Sequence, residues 1–153
     1  MRALLVAAMV LPVGLVARPS QHVVTPYVWA ISWVKQALKL GKAKGMDALI
    51  AEVQNPKGKF RTATPGTDPL LTVYSSDLSV LAVNREPLNS EGSISKNSDV
   101  PPSPDLKQAT RIAKQSGPTW MDYQVTEPSG QLKGYRAYVA LLNDNLIAAV
   151  IPK

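Results

Sequence analysis

TWMDYQVTEPSGQLKGYRAYVALLNDNLIAAVIPK occupies residues 119–153, and the architecture of the chain follows from how this segment divides. Three runs are rich in β-branched and aromatic residues, Thr119 to Thr126, Gly134 to Leu142 and Leu146 to Ile151, and each reads as a strand. Asn143-Asp144-Asn145 supplies the last turn. Just upstream, Ser103-Pro104-Asp105 offers an N-cap, a first-turn proline and a first-turn acid. Leu106, Ala109, Ile112 and Ala113 then recur at helical spacing until Gly117-Pro118.

Working back toward the N-terminus, Arg85 to Pro102 holds four Ser, three Pro, two Asn and one Gly, too polar for a core strand and long for an ordinary connection. Leu70 to Ser75 and Ser79 to Asn84 form a hairpin around Ser76-Asp77-Leu78. Met46 to Gln54 reads as a short helix closed by Asn55-Pro56-Lys57-Gly58. From Pro26 to Leu40 the polar side chains Ser32, Lys35, Gln36, Lys39 and Lys42 fall on one wedge of a helix, and Tyr27, Trp29, Ile31, Trp33, Val34, Leu38 and Leu40 cover the rest. Thr25-Pro26 starts this helix, and Gly41 and Gly45 stop it. An apolar face so broad predicts packing on a sheet, with Trp29 and Trp33 in the core, and contact with a second copy, a homodimer through the N-terminal helix. Strand and helix do not alternate, so the expected class is α+β: an antiparallel sheet with helices to one side.

Met1-Arg2, a charge-free run from Ala3 to Ala17 and Arg18-Pro19-Ser20-Gln21 have the order of a secretory signal over residues 1–20. An uncleaved anchor and a buried N-terminal element are the alternatives. The run is shorter than the roughly 20 apolar residues a membrane span needs, and Pro12 and Gly14 interrupt it. Ala17 suits the position before a cut, whereas Leu15 is large for its place. The expected location is periplasmic or secreted, with one folded domain over residues 26–153.

Composition removes most chemistry. The 153 residues include no Cys and one His, so disulfides, thiolate nucleophiles and cysteine-held metals are absent. His22 lies in the exit of the export segment, which removes Ser-His-Asp triads and imidazole bases from the domain. Asp68, Asp77, Asp99, Asp122 and Glu127 fall at turns and strand ends, where solvated carboxylates are usual. The expectation is a protein that is not an enzyme and uses no cofactor or metal. The formal charge of +6 falls to about +4 without Arg2 and Arg18, too modest and dispersed for nucleic acid. Lys57, Lys59 and Arg61 beside Phe60 read as solvated surface, with an anion contact as the alternative.

The richer constellation is C-terminal: Trp120 and Tyr123 in one strand, and Lys133, Tyr135, Arg136 and Tyr138 in the next turn and strand. Rings that exclude water and cations that orient a carboxylate suit a small-ligand pocket. Alternation sets Trp120 and Asp122 opposite Tyr123, and Arg136 and Tyr138 opposite Tyr135. Only one set can face a pocket. The competing reading is a half-buried strand pair with snorkelling cations.

Leu71 to Val83, Trp120-Met121-Asp122-Tyr123 and Tyr138-Val139 together resemble the single Cache domain of bacterial extracytoplasmic sensors, and Asp47 to Phe60 is similar to the segment preceding that family's sheet. The resemblance implies a long N-terminal helix on a five-stranded antiparallel, PAS-like sheet flanked by a second helix. A small ligand, such as an organic acid, would be held on its concave face without turnover. Tyr74, Trp120, Asp122, Tyr123 and Tyr138 match recurrent family positions, and Arg136 lies near the basic one, with Lys133 beside it. Leu78 stands where the family has a turn glycine, Val83 where it has a histidine, and Ala148 and Ala149 where it has glycines. The chain would act as a freestanding binding protein that passes its signal to a membrane sensor or other signalling partner. A structural or protein-interaction module with a collapsed pocket is the alternative.

Overall fold

The computed structural model describes residues 25–61, 68–85 and 102–153. Among them are three helices, α1 (Pro26–Lys44), α2 (Met46–Gln54) and α3 (Leu106–Ser116), and five strands, β1 (Leu70–Tyr74), β2 (Val80–Val83), β3 (Thr119–Thr126), β4 (Leu132–Leu142) and β5 (Asn145–Pro152). The strands form one antiparallel sheet in the order β2-β1-β5-β4-β3. This α+β arrangement is compatible with the expected PAS-like architecture. The expected export segment and residues 86–101 of the polar loop lie outside the described residues. No helix among the described residues is long and apolar enough to cross a membrane.

The helices do not lie to one side. Ala30, Trp33, Val34 and Ala37 of α1 and Leu49 and Val53 of α2 pack on Leu71, Val73, Tyr138, Ala140, Ile147, Ala149 and Ile151. Ala109 and Ala113 of α3 pack with Leu70, Tyr74, Met121, Tyr135, Ala137, Val139, Ala148 and Val150, the alternate residues of the same strands. The sheet is therefore sandwiched. The physical cause is in β5, where Leu146 to Ile151 is an unbroken apolar run and every side chain is buried. A strand apolar on both faces needs cover on both.

Three local expectations are corrected. Gly41 does not stop α1, which continues to Lys44 and ends at Gly45 (φ 90°). A β-carbon on Gly41 would collide with the Leu142 side chain, so this glycine lets helix and sheet approach closely, and that packing offsets its weak helix propensity. The N-cap of α3 is Asp105 instead of Ser103: the Asp105 carboxylate accepts from the Gln108 N–H at 3.0 Å. In the last hairpin Leu142 pairs with Asn145, so only Asn143 and Asp144 form the turn, with Asn143 at φ 55°, a conformation asparagine tolerates.

The β1–β2 connection closes through a Ser75 N–H to Ser79 carbonyl bond of 2.9 Å, and the Asp77 carboxylate accepts from the Ser75 hydroxyl and the Ser79 N–H. Leu78 sits there at φ 68°. Just after β2, Asn84 is 1% exposed. Its Oδ1 accepts from the Leu71 N–H at 2.9 Å, and its Nδ2 donates to the carbonyls of Phe60 (2.9 Å) and Pro69 (3.1 Å). One side chain thus binds the segment after α2 to both strands of the hairpin.

Most of the broad α1 face is covered within the chain. Trp33 is fully buried, edge-on to Phe60 at 6.2 Å, and Trp29, Ile31, Leu38 and Leu40 are partly buried against the same core. The large apolar side chains of α1 that stay exposed are Tyr27 (38%) and Val28 (54%), at its N-terminal end.

Candidate functional site

The sheet divides the residues singled out from the sequence between its two faces. Trp120, Asp122, Arg136 and Tyr138 lie on the α1 side. Here Trp120 meets Tyr138 at 5.0 Å and Tyr27 at 5.7 Å between ring centroids, and the Arg136 guanidinium lies 5.7 Å from the rings of both Tyr27 and Trp120. Asp122 and Arg136 are cross-strand partners. Arg136 Nε and Nη2 donate to the two Asp122 oxygens at 2.5 and 3.1 Å, and Lys153 Nζ donates to Oδ2 at 2.7 Å. The Arg136 hydrogen bond first, then that of Lys153, holds the Asp122 carboxyl well below the usual carboxylate range. This group ties the first turn of α1 to β3 and β4. Its cations already have an anion, so it is a clamp and not an open anion site.

Tyr74 and Tyr123 lie on the α3 side, and Tyr135, Thr72 and Lys133 join them. Tyr123 and Tyr135 are direct cross-strand partners whose rings stack at 5.6 Å and 22°. Tyr74 is 3% exposed, Thr72 5% and Tyr135 6%. Thr72 pairs with Ala148, which makes a small-residue strip beside the tyrosines. Over them runs the segment entering α3: the Tyr123 hydroxyl donates to the Pro102 carbonyl at 2.6 Å, and the Tyr74 and Ser103 hydroxyls are 3.0 Å apart. Ser103 is thus engaged with β1 instead of capping the helix. Lys133 stands at the rim, with Nζ 5.8 Å from the centre of the Tyr135 ring and 3.6 Å from the Glu127 carboxylate.

Burial governs the electrostatics of this face. Desolvation pushes the Tyr74 phenol above its ordinary value, against hydrogen bonds with Ser103 and Thr72 that pull it down. The Tyr123 phenol is pushed up further, by desolvation first and then by its neighbours Tyr74 and Tyr135. Both therefore stay protonated at neutral pH, with the Tyr123 proton committed to the Pro102 carbonyl. Such a surface can recognise polar groups by neutral hydrogen bonds. Among the described residues no three His, Cys, Asp or Glu side chains cluster in a way that could hold a metal ion. Of the carboxylates considered from the sequence, Asp77 closes the β1–β2 turn and Asp122 belongs to the clamp, while Asp99 lies outside the described residues.

Thr72, Ser103 and the Pro102 carbonyl were not among the candidate residues. Thr72 is two positions before Tyr74 and so shares its face, a signal readable in the sequence; the approach of Pro102 and Ser103 is a tertiary contact with no local signal.

No family model, curated protein or solved structure matches this chain.

Proposed function

We propose that the chain is an extracytoplasmic small-molecule-binding domain of the Cache type, without catalytic turnover, and that its ligand sits on the α3 side of the sheet. One observation carries this reading. Four hydroxyl-bearing side chains, Thr72, Tyr74, Tyr123 and Tyr135, share one face of the sheet, under a segment that the Tyr123 and Tyr74 hydroxyls contact at Pro102 and Ser103. Polar groups placed on strands at the edge of an apolar surface fix a ligand's orientation while the surface excludes water. The absence of Cys and the position of the one His in residues 1–24 support binding over catalysis, and the charge-free run after Arg2 supports export.

The collapsed-pocket alternative has an observation of its own, because Tyr74 and Tyr135 are nearly closed to solvent and the Tyr74 and Tyr123 hydroxyls already have partners. A thermal-shift screen of the full chain with small acids, amides, amines and amino acids separates the two. A ligand at 100 times its dissociation constant stabilises by about 2.7 kcal/mol, which raises the melting temperature of a chain this size by roughly 5–11 °C. A flat profile across the screen favours the structural or interaction module.

A further inference from the structure

We infer that the outer edge of β3 pairs with the same strand of a second copy, so that two sheets join as one across a two-fold axis. The sheet order leaves β2 and β3 at its margins. β2 carries features that blunt a strand edge: it is four residues long, and its pairing with β1 is broken by a register shift at Val73 and Tyr74. β3 has neither. It runs for eight residues in unbroken register with β4 and contains no Pro, Lys or Arg, and its one charge, Asp122, is already matched by Arg136 and Lys153.

Two bonds fix where the backbone groups of β3 point. The Glu127 N–H donates to the Gln131 carbonyl at the mouth of the β3–β4 hairpin, which turns the odd-numbered residues of β3 toward β4. The Lys153 N–H donates to the Gly134 carbonyl, which turns Gly134 toward β5 and leaves its β3 partner, Gln124, facing out. The N–H and C=O groups of Trp120, Asp122, Gln124 and Thr126 therefore point away from the sheet, and no backbone partner for them stands among the described residues. Only a pairing of even-numbered with even-numbered residues brings these groups together. An axis at Asp122 would set two carboxylates face to face, and an axis at Gln124 would set Trp120 against Pro128, which has no N–H. An axis at Tyr123 does neither. Asp122 then faces Gln124, Trp120 faces Thr126 and Met121 faces Val125, so the strand is complementary to itself in charge and in apolar character. Each Tyr123 meets its equivalent, which sets the two Tyr123–Tyr135 stacks side by side across the axis.

The test uses the full chain in sedimentation velocity over a dilution series reaching about 1 mM, the range of weak association. A reversible monomer–dimer equilibrium is expected. Gln124→Pro removes an outward N–H that no described strand uses, and should raise the dissociation constant about tenfold or more while the thermal melt is retained. Amide exchange on the unaltered chain gives a reading that does not depend on the variant folding: the amides of Trp120, Asp122, Gln124 and Thr126 should exchange freely at high dilution and slow as concentration rises, whereas those of Met121, Tyr123 and Val125 stay protected throughout. Because the chain has no Cys, Tyr123→Cys should oxidise to a linked dimer, and Gln124→Cys should not, its two copies lying beyond the roughly 7 Å between Cα atoms that a disulfide spans. A monomer at every concentration, a dimer that a folded Gln124→Pro leaves unchanged, even-numbered amides already protected at high dilution, or cross-linking that favours Gln124→Cys would each overturn the inference.

Discussion

Replacing Asn84 with alanine is expected to cost more stability than any other single polar substitution among the described residues outside the tyrosine face. The side chain makes three hydrogen bonds while 1% exposed, to the Leu71 N–H and to the carbonyls of Phe60 and Pro69. At about 0.5–1.5 kcal/mol each, the bonds together are worth about 1.5–4.5 kcal/mol, and burial keeps water from the partners left behind, so the upper part of that range, about 3–4.5 kcal/mol, is expected. The melting temperature should then fall by roughly 6–18 °C. Asn84→Asp is the informative companion. It keeps the acceptor for Leu71 but turns a carboxylate oxygen toward two carbonyls, so it should be severely unstable at neutral pH and recover in part in acid, when the protonated group can donate. Urea unfolding followed by tryptophan fluorescence reads both, because buried Trp33 packs on Phe60, whose carbonyl Asn84 holds. An Asn84→Ala variant within about 1 kcal/mol of the parent would refute the idea that this side chain holds the hairpin to the segment after α2.

Two further outcomes follow from the turn and the clamp. Leu78→Gly should stabilise by about 0.5–1 kcal/mol, because relief of a left-handed leucine, worth about 1–2 kcal/mol, exceeds the added freedom of glycine in the unfolded chain; Leu78→Ala keeps the strained conformation and should bring no gain in a denaturant melt. In Asp122 the folded-state value lies below that of the unfolded chain, near 4. Its contribution is therefore complete above about pH 4 and is lost as pH falls through the folded value. The urea midpoint of Asp122→Asn should lie below the parent's at pH 7 and converge with it in strong acid; a gap independent of pH would show that the Arg136 and Lys153 contacts do not act through charge.

Elements bounded by local punctuation were legible in the sequence. The bounds of α2 and β3 are those expected, since Asn55-Pro56 ends the first and Gly117-Pro118 precedes the second whatever surrounds them. Gly41 carries no local mark of its role, which is a close approach to Leu142, a contact made across 101 positions of sequence. The expectation of helices on one side rests on the order of elements alone, whereas the unbroken apolar run of β5 signals two buried faces. Asn84 gave no signal, because an asparagine after a strand reads as turn chemistry until its three distant partners are known. For the site, alternation separates Trp120 and Asp122 from Tyr123 within β3, and Arg136 and Tyr138 from Tyr135 within β4; that the first pair shares a face with the second is set by the register of the two strands. Which set the segment before α3 would cover depended on Pro102 and Ser103 meeting tyrosines from β3 and β1.

The two alanines that stand where the Cache resemblance expects glycines point in opposite directions and have opposite consequences. Both are fully buried. The Ala149 methyl enters the core beneath α1 with Ile147 and Ile151, where added apolar volume strengthens packing at no cost to binding. The Ala148 methyl enters the α3-side cluster opposite Thr72, on the strip between Tyr74 and the Tyr123–Tyr135 pair, where it takes room a ligand would use. A replacement that firms one face narrows the other. On the proposed reading, the narrower face selects for thin molecules.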